Sequence, residues 1–517
     1  MRVTNKMMSA GMLNNIMSNK ADMNKKFNQY ATGQKIQKPS EDPVIAIRSL
    51  KYRSNLTQVN QYLKKNVEDA YNWMEVTESA LNSMTSLLKD IAGYVTQGSN
   101  DTYEVIDRDS ISSQLQEYKE ELYGMLNTDN AGRYVFSGYR TDTTVSYLEA
   151  DSSKKYTITE PLTFENMYEK KYVTGCASYT DGFTAENYAS NFAPTDASVY
   201  CLDLGYKGLD EEDLTFQYVK ADGTPVTLTL TACQSSDADV YDFTGTDGVK
   251  FIADTGQIIF SQSMYDTLRT AQSITTQYVK SEFEVGDVRP EMYYDCTSIG
   301  VVRDEDGKII EELDSTKVNY SKPEEQDINY NISTSQSLKV NTLANQTLNS
   351  SYARALDNIM EAVNNAYDTQ AKLEDVELLL KDSNLTDEKK EAYTKLKEQL
   401  ETELTIRKSI IQENFSRAIT ATQNAQSGNK VAYEDGTVKK IGINIALTDA
   451  GSRYSRLDMV KTRLEDQSNS ITELLDSNEQ VNIEEAIVNY QDAYTTYMAS
   501  LSATGKVAQN TLLDFLG

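Results

Sequence analysis

Two interleaved series of side chains at seven-residue spacing constrain this chain more than any other feature of it. One series is Leu56, Leu63, Ala70, Thr77, Met84 and Ile91; the other is Asn60, Val67, Met74, Leu81, Leu88 and Val95. Ten of these twelve positions are apolar. A register sustained that far belongs to a coiled coil or a long bundle helix, because helical winding gathers such positions on one face. A lone helix with an apolar face in water does not persist, so the stripe demands partner helices. The segment follows Lys38-Pro39-Ser40-Glu41-Asp42-Pro43, where Ser40 is the expected helix start and the two acids suit the positive end of the helix dipole.

The partners are encoded at both ends of the chain. Ile111, Leu115, Tyr118, Leu122 and Met125 form a second amphipathic stripe, broken at Asn130-Ala131-Gly132. Leu356, Ile359, Val363 and Tyr367 begin a further helix, and beyond the break at Asp382-Ser383-Asn384 another carries Tyr393, Leu396, Leu400, Leu404, Ile411, Phe415 and Ala418. Leu457, Val460, Leu464, Ile471 and Leu474 mark the next, and Ile483, Ile487, Tyr490, Tyr494, Tyr497, Leu501, Ala508 and Phe515 the last.

Between these flanks the texture changes. Residues 149–330 are rich in Tyr, Thr, Val and Asp, with short runs such as PVTLTLTA (Pro225–Ala232) and GQIIFSQ (Gly256–Gln262). Asp222-Gly223, Asp247-Gly248 and Asp306-Gly307 are hairpin turn signals. Asp435-Gly436 marks a small isolated hairpin near 433–440. The expected fold is mainly α: a long coiled-coil-like helical rod built from the N- and C-terminal flanks, with a β-rich inserted central domain. The expected domains are an N-terminal arm, 1–40, pairing with a C-terminal arm, 483–517; a helical rod, 41–148 with 331–482; and the insert, 149–330. The arms carry opposite charge, +6 over residues 1–40 and −6 over 473–517. Charge of that kind steers pairing.

Composition narrows function by exclusion. The chain has no histidine, which removes Ser-His-Asp and Cys-His nucleophile systems and His-ligated zinc. A formal charge of −28 argues against nucleic acid or an anionic membrane as partner. No apolar stretch is long enough for a membrane span or a secretory signal core, which by itself reads as cytosolic. Cys176, Cys201, Cys233 and Cys296 contain no C-x-x-C pair and read as scattered buried thiols, with two disulfides as the other possibility. The acidic run Asp210, Glu211, Glu212, Asp213 reads as a solvated loop rather than a facing carboxylate pair. Arg303–Lys308 has a calcium-loop look, but Ser315 stands where the twelfth-position Glu should be, so a hairpin turn is expected. No enzyme activity, cofactor or metal site is expected.

Several segments match a known pattern. The opening MRVTNKMM, then ATGQKIQKPSEDPVIAI (Ala31–Ile47), NAGRYVFSGYRTDT (Asn130–Thr143), TDAGSRYSRLDMVKTRLEDQ (Thr448–Gln467) and YMASLSATGKVAQNTLLDFL (Tyr497–Leu516) resemble flagellin-like junction proteins of the hook-associated protein 3 type. Flagellins are the nearest alternative; they usually carry an Ala-Ala-Gly-Leu-Ala type run after the acidic pair, where this chain has Pro43-Val44-Ile45-Ala46.

The resemblance implies a structural adaptor joining hook to filament. Its implied partners are hook-associated protein 1, flagellin, further copies in a ring and an export chaperone. It also implies an extracellular flagellar location, reached by type III export without a cleaved signal, which replaces the cytosolic reading. The expected assembly interface is Met12, Ile16, Met23, Phe27 and Tyr30 on the N-terminal arm, with Ile487, Tyr490, Tyr494, Tyr497, Leu501 and Phe515 on the C-terminal arm. Six of the fifteen methionines lie in the first 23 residues, and unbranched Met adapts to non-identical neighbours.

Overall fold

In a computed structural model the apolar stripes lie on long helices, as the periodicity requires. Residues 5–176, 193–237, 239–244, 247–304, 307–322, 326–382, 385–432 and 438–516 are described, and their side chains except at 5–6, 432, 438 and 507–516. The helices are α1 (Asn5–Thr32), α2 (Pro43–Gln61), α3 (Glu68–Gly98), α4 (Val105–Gly124), α5 (Gln262–Leu268), α6 (Pro290–Tyr293), α7 (Ala344–Thr347), α8 (Ser351–Leu380), α9 (Asp387–Ser427), α10 (Ile443–Glu479) and α11 (Ile483–Leu516). A π-helical turn, Tyr62–Val67, connects α2 to α3. Helix α2 starts two residues later than Ser40 implies. Asp42 is its N-cap, accepting from the Val44 and Ile45 amides at 2.9 and 3.2 Å, and Pro43 supplies a first-turn residue that needs no amide partner.

The chain divides into two compact units, Met1–Asp69 with Tyr330–Leu338 and Arg456–Gly517, and Ala70–Asn329 with Lys339–Ser455. In the larger unit the expected stripe of α3 is covered throughout: Ala70, Met74, Thr77, Leu81, Met84, Leu88, Ile91 and Val95 are all buried. Helix α3 meets α4 through Tyr94 and Tyr118, ring centroids 5.5 Å apart. Its last residue, Gly98, lies so close under the Phe415 ring of α9 that a Cβ would overlap the ring carbons. Helices α8 and α9 form an antiparallel hairpin, with Tyr352 reaching Thr422 at 3.1 Å and Thr369 reaching Glu403 at 3.2 Å. Toward its turn this hairpin closes on its own small core of Val376, Tyr393, Leu396 and Leu400.

The strands are β1 (Asp129–Asn130), β2 (Arg133–Tyr134), β3 (Lys154–Leu162), β4 (Tyr168–Thr174), β5 (Thr195–Asp203), β6 (Leu214–Val219), β7 (Pro225–Leu230), β8 (Ala232–Cys233) and β9 (Val249–Ile252). They continue as β10 (Gln257–Phe260), β11 (Ser273–Lys280), β12 (Asp295–Arg303), β13 (Ile309–Tyr320), β14 (Asn329–Ser333), β15 (Gln336–Lys339), β16 (Asn429–Ala432) and β17 (Val438–Ile441). The break at Asn130-Ala131-Gly132 is the β1–β2 turn, where Ala131 and Gly132 take φ of 54° and 77°, the left-handed pair such a tight turn needs.

Six strands form one sheet in the order β13-β12-β3-β11-β6-β7, and five form another in the order β4-β5-β10-β9-β8. Alternation sets the first sheet's buried face: Tyr156, Ile158, Glu160 and Leu162 of β3 point inward beside Ile274, Thr276, Tyr278 and Lys280 of β11. The buried Glu160 carboxylate accepts from the Gly205 amide at 3.0 Å and the Tyr278 hydroxyl at 2.7 Å. Strands β12 and β13 pair antiparallel, with Arg303 opposite Ile309, while Glu305 and Asp306 between them lie outside the described residues. The turn of the β16–β17 hairpin, with Asp435-Gly436, also lies outside them.

Two expectations hold only in part. Glu211, Glu212 and Asp213 are exposed, but Asp210 is half-buried: its carboxylate accepts from the Ser281 amide at 3.1 Å and the Ser281 hydroxyl at 2.9 Å, and burial raises its pKa above the ordinary aspartate value. The thiols are free, but only Cys201 and Cys296 are buried; Cys233 is half-buried and Cys176 exposed. Burial pushes the Cys201 thiol up to about 12, so it stays protonated and inert. Among the described residues no helix is long and apolar enough to cross a membrane.

Candidate assembly surface

Helix α1 contains no proline and ends at Gly33, whose φ of 69° lets the chain turn out of the helix. Two backbone bonds then tie it to the α10–α11 linker: the Lys35 amide to the Glu479 carbonyl, and the Val481 amide to the Gly33 carbonyl, both at 2.8 Å. These bonds place the end of α1 beside the start of α11. Phe27 and Tyr30 lie against Tyr490, with centroids 5.6 and 6.2 Å away, so the two helices run antiparallel. Tyr490 also contacts Tyr494, at 6.2 Å.

The covered faces repeat every three and four residues. On α1 they are Met12, Ile16, Asn19, Met23 and Lys26, all half-buried; on α11 they are Ala486, Tyr490, Ala493, Tyr497, Ser500 and Thr504. Small residues at 486, 493 and 500 let the α11 backbone approach α1 closely. Large apolar side chains next to them point away. Ile487, Tyr494 and Leu501 are 36%, 47% and 39% exposed, and Ile483, Val488 and Met498 are exposed too. On α1, Leu13, Met17, Phe27 and Tyr30 are exposed.

The residues expected at the interface therefore fall into two groups. Met12, Ile16, Met23, Tyr490 and Tyr497 lie in the α1–α11 seam, with Phe27 and Tyr30 at its margin against the Tyr490 ring, whereas Ile487, Tyr494 and Leu501 lie outside it. The Phe515 side chain lies outside the described residues. The apolar stripe alone missed the small-residue series Ala486, Ala493, Ser500, although its seven-residue spacing was a readable signal.

Helices α2 and α10 pair in the same unit. The Arg53 guanidinium forks onto the Glu479 carboxylate at 3.0 and 2.7 Å. That bond holds the Glu479 carboxyl below its usual range and raises Arg53. The Asn478 amide donates to the Ile45 carbonyl at 3.0 Å and to the Ser49 hydroxyl at 2.8 Å, and Ser468 reaches Asn60 at 3.4 Å. Contacts near 45–53 with 478–479, and at 60 with 468, make this pair antiparallel as well. Its other face leaves Val44, Ile47, Leu50, Met459 and Leu474 exposed. In the whole smaller unit the described buried apolar side chains are Ala46, Val67, Ile332, Leu338, Leu457, Val460, Leu464, Ala486 and Ala493.

Comparison with known proteins bears on this part of the chain. Residues 3–141 match the family model of the bacterial flagellin N-terminal helical region. Over 144 residues, 28% of this chain and 45% of the relative, the sequence is 29% identical to flagellar hook-associated protein 3 of Escherichia coli K12. Over 202 residues, 38% of this chain and 53% of the relative, it is 24% identical to a flagellin of Clostridium tyrobutyricum. The chain thus spans about half the length of the curated relatives it matches. A solved structure of a putative flagellar hook-associated protein from Vibrio parahaemolyticus aligns over 85% of this chain and 100% of that one, at 10% identity and a TM-score of 0.34. The resemblance to hook-associated protein 3 read from the sequence is borne out, and the chain opens with a flagellin-type N-terminal helical region.

Proposed function

We propose that this flagellin-related chain is a structural adaptor of the bacterial flagellum, joining the hook, through hook-associated protein 1, to the flagellin filament. One observation carries the reading: α11 turns its small residues toward α1, while Ile487, Tyr494 and Leu501 of α11 and Met17 of α1 are left facing outward. A neighbouring copy that covers this face gains the burial energy the single chain forgoes, roughly 25 cal/mol for each Å² removed from water. The arms 1–40 and 483–517, with Met12, Ile16, Met23, Phe27, Tyr30, Ile487, Tyr490, Tyr494, Tyr497, Leu501 and Phe515, form the assembly surface, and the remaining flanks form the rod that carries the 149–330 insert. Copies close into a ring at the junction. The chain is exported through the type III channel, escorted by a chaperone, and works outside the cell without catalysis.

Deletion of the gene tests this. An adaptor predicts hooks without filaments and flagellin lost to the medium. The similarity to a flagellin favours a second reading, a filament subunit. That reading predicts bare hooks with no filament protein released, and long fibres when the purified chain is seeded.

A further inference from the structure

Charge in the smaller unit is divided between the two ends of the chain. Helix α2 carries Arg48, Lys51 and Arg53 and no acid, whereas residues 464–505 carry eight acids and no base. Arg53 takes Glu479 at 2.7 Å. Among the described residues, Arg48 and Lys51 have no carboxylate within 4.0 Å, and Glu484, Glu485 and Asp492 have no cation within that distance. Both sets of unpaired charge border exposed apolar side chains.

On α2 the covered side is Ala46, Ser49, Tyr52 and Leu56, and the opposite side holds Val44, Ile47 and Leu50, each more than half exposed. Arg48 and Lys51 stand one turn after Val44 and Ile47, so both cations edge that apolar face. The first turns of α11 present the converse. The Asn482 side chain caps the helix by accepting from the Glu484 amide at 3.0 Å. Beyond the cap, Ile483, Ile487 and Val488 are exposed, edged by Glu484, Glu485 and Asp492. Acids in a first turn suit the helix dipole, which accounts for Glu484 and Glu485 taken alone. It accounts neither for the large apolar side chains left in water beside them nor for the complementary face on α2.

We propose that α2 docks the first turns of α11 from a second copy, with Val44, Ile47 and Leu50 packing on Ile483, Ile487 and Val488 while Arg48 and Lys51 meet Glu484 and Glu485. This docking rests on the assembly function just proposed and names what covers the outer face where α11 begins. Antiparallel packing fits the order along each helix. On α2 the cations follow Val44 and Ile47, and on α11 Glu484 and Glu485 precede Ile487 and Val488. The two faces differ, so every copy offers α2 to one neighbour and α11 to the other. Such heterologous contacts build rings or helical arrays, whereas a face that matched itself would stop at a dimer. Three apolar side chains on each helix are far fewer than the roughly 20–30 residues a side of a stand-alone interface, so this contact adds to burial at the arms.

Sedimentation velocity of the full chain across a range of concentrations tests it. Arg48→Glu combined with Lys51→Glu should weaken self-association by about tenfold with an unchanged circular dichroism spectrum, because four acids then face one another. Glu484→Lys combined with Glu485→Lys should do the same. The chain carrying all four changes should recover most of the loss, a recovery that misfolding does not produce. No loss from either pair, or no recovery on combining them, would overturn the docking. If these variants assemble like the unaltered chain while Leu501→Ser does not, the assembly surface stands and only the α2 face is wrong. An unaltered chain that stays monomeric at every concentration would overturn the docking as well, and gene deletion would then decide the adaptor function by itself.

Discussion

The bundle helices of the larger unit and the paired arms of the smaller one use the same seven-residue logic with opposite results. Along α3 every position from Ala70 to Val95 in the two expected series is buried. Earlier in the same series, Leu56, Asn60 and Leu63 are only half-buried, and on α11 Ile487, Tyr494 and Leu501 stay outside the seam. The difference lies in the number of partners. Helix α3 meets both α4 and α9 through direct side-chain contacts, whereas α1 and α11 cover each other on one face only. A helix with a single neighbour can hide only a narrow stripe of its circumference, so any wider apolar face is left for something else to cover.

The contrast can be broken most severely at Phe415. Phe415→Ala should destabilise the larger unit by about 3–5 kcal/mol in a urea titration, because the rigid Gly98 backbone beneath the ring cannot collapse into the void. A loss below 1 kcal/mol would mean that this core is no better packed than the arms. Ala493→Leu comes next. Crowding the α1–α11 seam should cost about 1–3 kcal/mol and speed amide exchange across residues 12–23. Unchanged exchange would mean that α1 gains nothing from α11 in the isolated chain.

Two carboxylates sharpen the comparison through pH. Burial holds the Glu160 pKa above 4.5 in the folded larger unit. Between its unfolded and folded values the folded state then binds more protons, so this group's contribution falls as pH rises through that window. Arg53 holds the Glu479 pKa below 4.5 in the smaller unit, so its contribution is present above that value and is lost as pH falls through the folded pKa. Glu160→Gln should flatten the first slope and Glu479→Gln the second, read from urea midpoints at about pH 4 and about pH 7. Exposed Arg53 limits the second effect to roughly 0.2–1 kcal/mol. The same slope in both variants would refute the assignment.

The smallest expected change is at Leu501. Leu501→Ser should move the stability of the isolated chain by no more than about 0.5 kcal/mol, since the side chain is already 39% exposed. Its effect should show instead in light scattering, as weaker self-association. A clear destabilisation of the monomer would place Leu501 inside the chain's own core.

The amino-acid sequence alone determined the helical stripes of α3, α4, α8 and α9, the Asn130-Ala131-Gly132 turn and the alternating strands of the insert. Each depends on contacts between residues a few positions apart, or on one apolar face with nowhere else to go. The start of α2 was misplaced because Ser40 and Asp42 are both competent caps, and only the folded backbone selects the one whose oxygen reaches two amides. Asp210 was misread because its partner, Ser281, is distant in sequence. On α11 two stripes compete, Ile487-Tyr494-Leu501 and the Ala486-Ala493-Ser500 series that shares its face with Tyr490 and Tyr497. Hydrophobicity favours the first, but a close approach to α1 requires the second, and only the tertiary structure decided which face turned inward.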